Sequence, residues 1–129
     1  MRTNTRDIEY MREALELARR GEYSTSPNPA VGCVIVKDDE IIGRGFHHLA
    51  GENHAEIEAI RDAGDRTKMA TAYVTLEPCS HKGRTGPCVE ALISAGISRV
   101  VYACGDPNPK VSGTGHRTLC DAGIDVLSG

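Results

Sequence analysis

His54-Ala55-Glu56, followed along the chain by Pro78-Cys79 and Pro87-Cys88, supplies the residue types that zinc-assisted hydrolysis needs. Imidazole nitrogen and thiolate sulfur are zinc ligands, and a catalytic zinc takes three from the protein while keeping its fourth position for water. The pKa of that water falls from about 15.7 toward about 7, which makes a nucleophile available at neutral pH. The ligand set read from the sequence is His54, Cys79 and Cys88. Glu56 in the fourth position would displace the water and close the site, so its carboxylate is assigned to proton transfer.

Taken alone, each half of this pattern is weak, because H-x-E occurs by chance and buried thiols are common. The two halves together, in order and each at the start of a predicted helix, resemble the signature of zinc-dependent base deaminases, in which the glutamate is an acid/base and not a ligand. The cysteines depart from that signature by their spacing. Eight residues, Ser80-His81-Lys82-Gly83-Arg84-Thr85-Gly86-Pro87, separate Cys79 from Cys88. This polar, basic insert, tethered by two ligands, must lie beside the metal and is placed to touch a substrate.

The elements that position these residues follow from periodicity and turn chemistry. Ile8, Met11, Leu15 and Ala18 recur at helical spacing after Asp7 as N-cap, Gly21 stops this helix, and its apolar stripe is expected to lie on a sheet. Glu22 to Pro29 reads as a loop in which Asn28 stands between two prolines. Val31 to Val36 and Ile41 to Phe46 form a hairpin about Lys37-Asp38-Asp39, with Cys33 as a packed thiol. His47 and His48 end it just before the metal segment, and His47 is the one assigned to substrate. Ala55 to Ala63 is a helix stopped by Gly64, with His54 and Glu56 in its first turn and Ile57 and Ile60 for packing. Thr71 to Leu76 is a strand delivering Cys79, and Pro87 opens a helix with Cys88 next and Leu92 and Ile93 for packing. Arg99 to Ala103 and Ile124 to Leu127 are strands about a helix over Gly113 to Ala122. Cys104, Cys120 and His116 are at no ligand spacing and are read as structural or incidental. The order predicts an α/β fold, a three-layer α/β/α sandwich with a mixed five-stranded sheet, antiparallel at the hairpin and parallel later.

With 129 residues there is room for one domain around one core. Trp is absent and Phe46 is the only Phe, so aliphatic side chains must fill the interior. A formal charge of −3 with interspersed signs speaks against a nucleic-acid or membrane-binding surface. No charged-then-apolar leader and no apolar run of about 18 residues is present, which predicts a soluble cytoplasmic protein. Five cysteines, an odd count with two assigned to metal, argue against a disulfide framework.

Over nearly its whole length the chain resembles the deaminase domain of the riboflavin biosynthesis proteins, within the cytidine deaminase-like superfamily. The resemblance is carried by Asn28-Pro29-x-Val31-Gly32, His54-Ala55-Glu56, Thr75-Leu76-Glu77-Pro78-Cys79-Ser80-His81, Gly83-Arg84-Thr85-x-Pro87-Cys88 and Asp106-Pro107-Asn108-Pro109. The eight-residue spacer and the Asp-Pro-Asn-Pro loop make it specific. It implies a cytidine deaminase-like fold, Zn²⁺ on His54, Cys79 and Cys88, Glu56 as proton shuttle, and substrate contacts from Asn28, His47, His81 and Arg84. It also implies deamination of 2,5-diamino-6-(5-phosphoribosylamino)pyrimidin-4(3H)-one, a small phosphorylated pyrimidine, and self-association into a homo-oligomer. Arg84 is the residue to meet the phosphate, since a guanidinium offers phosphate oxygens a bidentate fork.

Gly86 stands where that family usually has proline, and Cys104-Gly105 replaces a more typical pair before Asp106. The family also continues into a reductase domain, so this sequence reads as a stand-alone deaminase or as an excised domain. Two other readings stay open: a zinc deaminase of another base, nucleoside or tRNA, and a non-enzymatic module with a structural zinc. The long basic spacer and the lack of a basic face argue against the first, and Glu56 argues against the second.

Overall fold

Cys33 and Ile35 belong to one buried cluster while Val34 and Val36 belong to another, so this strand is covered on both faces. The computed structural model describes residues 5–20, 31–46, 54–78, 88–104 and 113–128. These form α1 (Thr5–Arg20), β1 (Gly32–Lys37), β2 (Glu40–Phe46), α2 (Ala55–Ala63), a 3₁₀ turn (Gly64–Thr67), β3 (Thr71–Leu76), α3 (Cys88–Ser94), β4 (Arg99–Cys104), α4 (Thr114–Asp121) and β5 (Asp125–Ser128). The sheet order is β2-β1-β3-β4-β5. β1 is antiparallel to both β2 and β3, and β3, β4 and β5 run parallel. Helix α1 covers one face, and α2, α3 and α4 stand on the other, which is the three-layer α/β/α sandwich with a mixed sheet.

The hairpin turn is built from Asp38 and Asp39, both left-handed at φ 52° and 62°. Two consecutive positive φ values give the twist that a two-residue hairpin requires, and Asp tolerates them better than most side chains.

Small residues set how closely the layers approach. A Cβ on Gly45 would lie 2.4 Å from the Ala55 carbonyl oxygen, and one on Gly43 would lie 2.3 Å from that of Ala59. Ala55, Ala59 and Ala63 recur every four residues, so α2 lays its backbone directly on the edge strand β2. On the opposite face Gly32 does the same for α1, whose Ala14 carbonyl oxygen would stand 1.9 Å from an added Cβ.

Two expectations about α1 are corrected. Asp7 is not an N-cap: the helix begins at Thr5, and Asp7 lies inside the first turn, 1% exposed. Its carboxylate accepts two bonds from the Arg99 guanidinium at 2.9 and 2.7 Å and one from the Tyr73 hydroxyl at 2.5 Å. The stripe facing the sheet is also different, with Ala14, Leu17 and Ala18 buried and Ile8 and Leu15 nearly half exposed. Close approach at Gly32 admits small side chains under the helix, and the Asp7 to Arg99 pair fixes its rotation. In the other helices Leu92 is buried as expected while Ile93 is exposed, and Ile57 and Ile60 are half-buried beside the alanine stripe of α2.

Candidate active site

The described candidate residues His54, Glu56 and Cys88 stand at the starts of α2 and α3, beside the ends of strands. There β1 begins at Gly32, paired with Phe46 at the end of β2, and β3 and β4 end side by side at Leu76 and Cys104. Helix α2 runs back along β2, so its first residue Ala55 lies over Gly45. Carboxyl ends of parallel strands meeting helix starts are where open α/β sheets bind ligands.

His54 is the N-cap residue of α2, with φ −71° and ψ 164°, and its carbonyl oxygen accepts the first helical bond from the Glu58 amide at 3.1 Å. It stands one position before the first turn where the sequence reading placed it. Its side chain makes no cap bond. Instead the ring Nδ1 lies 3.1 Å from the Cys88 sulfur, the first residue of α3, across 34 residues of sequence. Cys88 is fully buried and His54 half-buried.

Nitrogen and sulfur ligands on one tetrahedral zinc, at about 2.0–2.1 Å and about 2.3 Å, are held roughly 3.5 Å apart. The donor pair in the structure is within a few tenths of an ångström of that spacing, and both atoms are of the type zinc takes. These residues fit the ion. Cys79, the third ligand expected from the sequence, lies outside the described residues, as do Asn28, His47, His81 and Arg84.

Glu56 is 3% exposed on the inner side of α2. Its charge is felt by Cys33 in β1: burial, and after it the Glu56 carboxylate, push the Cys33 thiol well above its ordinary range. Cys33 is therefore a neutral packed thiol, as the sequence reading had it, and Glu56 is buried close enough to β1 for its charge to reach Cys33. An imidazole and a sulfur from different elements form a metal-binding pair, and the buried Glu56 carboxylate, two residues from His54, is the acid/base group of the same helix start.

Glu77 was not singled out by sequence reasoning. It follows β3 directly, is 4% exposed, and accepts the amide hydrogens of Gly113 at 3.0 Å and His116 at 3.1 Å. His116, read as structural or incidental, has a partner in the sheet: its Nδ1 meets the Tyr102 hydroxyl at 2.8 Å. A buried acid immediately before Pro78-Cys79 was the available signal, and its partners about 40 residues on were not visible in the sequence.

Comparison with known proteins finds relatives over most of the chain. The cytidine and deoxycytidylate deaminase zinc-binding region matches residues 4–104. The riboflavin biosynthesis protein RibD of Escherichia coli (strain K12) is 62% identical over 123 residues, covering 95% of this chain and 34% of that protein. A diaminohydroxyphosphoribosylamino-pyrimidine deaminase of Buchnera aphidicola subsp. Acyrthosiphon pisum is 56% identical, covering 95% of this chain and 84% of that one. Among solved structures, Acinetobacter baumannii RibD, form 1, superimposes with a TM-score of 0.95 at 60% identity, over 96% of this chain and 35% of that one. The chain thus spans about a third of the length of the RibD proteins it matches. Among the described residues no helix is long and apolar enough to cross a membrane.

Proposed function

The chain belongs to the cytidine and deoxycytidylate deaminase zinc-binding family and, within it, to the diaminohydroxyphosphoribosylamino-pyrimidine deaminases, and from that membership we propose that it is a hydrolytic deaminase of riboflavin biosynthesis. Its substrate in this reading is 2,5-diamino-6-(5-phosphoribosylamino)pyrimidin-4(3H)-one, and its products are 5-amino-6-(5-phosphoribosylamino)uracil and ammonia. The observation that carries the proposal is the His54 ring 3.1 Å from the Cys88 sulfur, with the buried Glu56 carboxylate two residues from His54.

His54, Cys88 and, from the sequence, Cys79 hold Zn²⁺ in this account. When bound, zinc supplies the Lewis acidity that makes water nucleophilic near neutral pH. Glu56 takes the proton released by the attacking water and delivers it to the ring nitrogen next to the amino-bearing carbon. It then carries a second proton from the new hydroxyl to the amino group, so that the C–N bond breaks with loss of neutral ammonia. Asn28, His47 and His81 are assigned to the substrate, and Arg84 to its phosphate. Gly32 opens β1, Phe46 closes β2, Pro78 lies just past the end of β3 and Cys88 opens α3, and these flanking positions at the site edge support that assignment.

The 129 residues are proposed to form one deaminase domain. The 84% coverage of the Buchnera deaminase supports this reading. A homo-oligomer and a cytoplasmic location belong to the same proposal. Thiolate zinc ligands persist in a reducing compartment, which supports the second.

The test is ammonia release by the zinc-loaded chain across a panel holding the phosphorylated aminopyrimidinone, its dephosphorylated analogue, cytidine and dCMP. Turnover of the first far above the others is expected. Preference for cytidine or dCMP would replace the proposal with another deaminase of the same family. Arg84→Ala is expected to raise KM for the phosphorylated substrate more than for its analogue, and equal effects on both would remove the phosphate role.

A further inference from the structure

We infer that Glu77 is a positioning residue for the metal site, fastening the peptide that leads into Cys79 to the first turn of α4. The inference rests on the zinc reading above and adds a residue to which the deamination chemistry gives no part. Both oxygens of the Glu77 carboxylate are committed: Oε1 accepts the Gly113 amide at 3.0 Å and Oε2 the His116 amide at 3.1 Å. Two charge-assisted bonds to the unpaired amides of a helix start are a strong, directional attachment.

The next residue is held independently. A Cβ on Gly115 would stand 2.1 Å from the Pro78 carbonyl oxygen, so the backbone of α4 rests against the Pro78 carbonyl. From the other side Tyr102 of β4 bonds the His116 ring at 2.8 Å, which ties the same helical turn to the sheet. The dipeptide ahead of Cys79 is thereby fixed at side chain and at carbonyl to one turn of helix.

A residue needed only to fill this space would be apolar, since a buried carboxylate is costly unless its oxygens are satisfied. What the carboxylate adds is direction. A metal site works within about 0.2 Å of its ideal distances, and loss of a residue that orients a ligand typically costs about 10–100-fold in metal affinity. In this inference Glu77 acts on Cys79 through the chain, by holding the dipeptide ahead of it.

The experiment measures zinc affinity of the full chain by competition with a chromophoric chelator, together with the thiolate-to-metal charge-transfer band of the cobalt-substituted protein. Glu77→Gln keeps the shape but offers an N–H where an acceptor is needed, and Gly115→Ala keeps Glu77 but displaces the Pro78 carbonyl. Both are expected to bind zinc about 10–100-fold more weakly than the wild type, with a shifted cobalt band. A merely structural role would lower the melting temperature and leave both readouts unchanged; that result in folded Glu77→Gln overturns the inference. Should Glu77→Gln not fold, Gly115→Ala decides by the same measurements. Failure of the wild type to bind one zinc would instead remove the proposed function itself, which keeps the two claims separable.

Discussion

At position 54 the chain gives a helix cap over to chemistry. Ser, Thr, Asn or Asp at an N-cap stabilise a helix relative to other residues by about 0.5–2 kcal/mol, and His54 makes no such bond because its ring is turned to Cys88. His54→Asn is therefore expected to leave the metal-free protein as stable as the wild type or up to about 1 kcal/mol more stable, while abolishing zinc binding. Thermal unfolding in chelator beside metal analysis checks both halves, and a variant that still binds zinc at full strength would contradict the ligand assignment. The residue types at this scale were legible: imidazole, carboxylate and thiols in a fixed order carry their chemistry wherever the chain folds. Roles that depend on distant partners were not. Asp7 and Glu77 look locally like a cap and a strand-end acid, and only folding brings Arg99 to the first and Gly113 to the second.

Helices and strands were readable nearly to the residue, because hydrophobic period and glycine stops act locally. Ala55–Ala63 and Thr71–Leu76 fall where the sequence put them. The packed face of α1 was misread, since it is chosen by a glycine in β1 and by an ion pair spanning 92 residues. Two predictions belong to this scale. Gly45→Ala drives a methyl group into the backbone of α2 and is expected to cost about 1–3 kcal/mol, with lost activity, because the displaced helix carries both His54 and Glu56. Chemical denaturation measures the first effect, and wild-type stability would show that α2 is not seated as described. Asp7→Asn leaves the Arg99 charge without its partner in a site where that side chain is 18% exposed, for an expected loss of about 3 kcal/mol. The double change Asp7→Leu with Arg99→Met should recover most of it, and equal losses in both proteins would mean the pair does not hold α1.

On the scale of the whole molecule, one edge of a mixed sheet collects two strand ends and the starts of α2, α3 and α4, so residues far apart in sequence share a site. The opposite edge of β3 and β4 holds the Asp7, Tyr73 and Arg99 network, which also makes the fold sensitive to alkali. Burial first, then the hydrogen bond to Asp7 and its charge, raise the Tyr73 phenol well above its ordinary value near 10, with Arg99 opposing. The native state thus holds this proton more tightly than the unfolded chain. The associated stability is fully present below about pH 10 and is lost as pH rises from there toward the folded value. Tyr73→Phe should flatten that alkaline decline, and an unchanged slope would assign it elsewhere. The account as a whole is tested most directly by ammonia released per bound zinc from the phosphoribosylaminopyrimidinone, for the wild type and for Glu56→Gln. It predicts one zinc per chain in both, steady turnover in the first, and a rate lower by about 10²–10⁴-fold in the second. A wild type that holds its zinc and releases no ammonia, or a Glu56→Gln variant that matches it, would contradict the account.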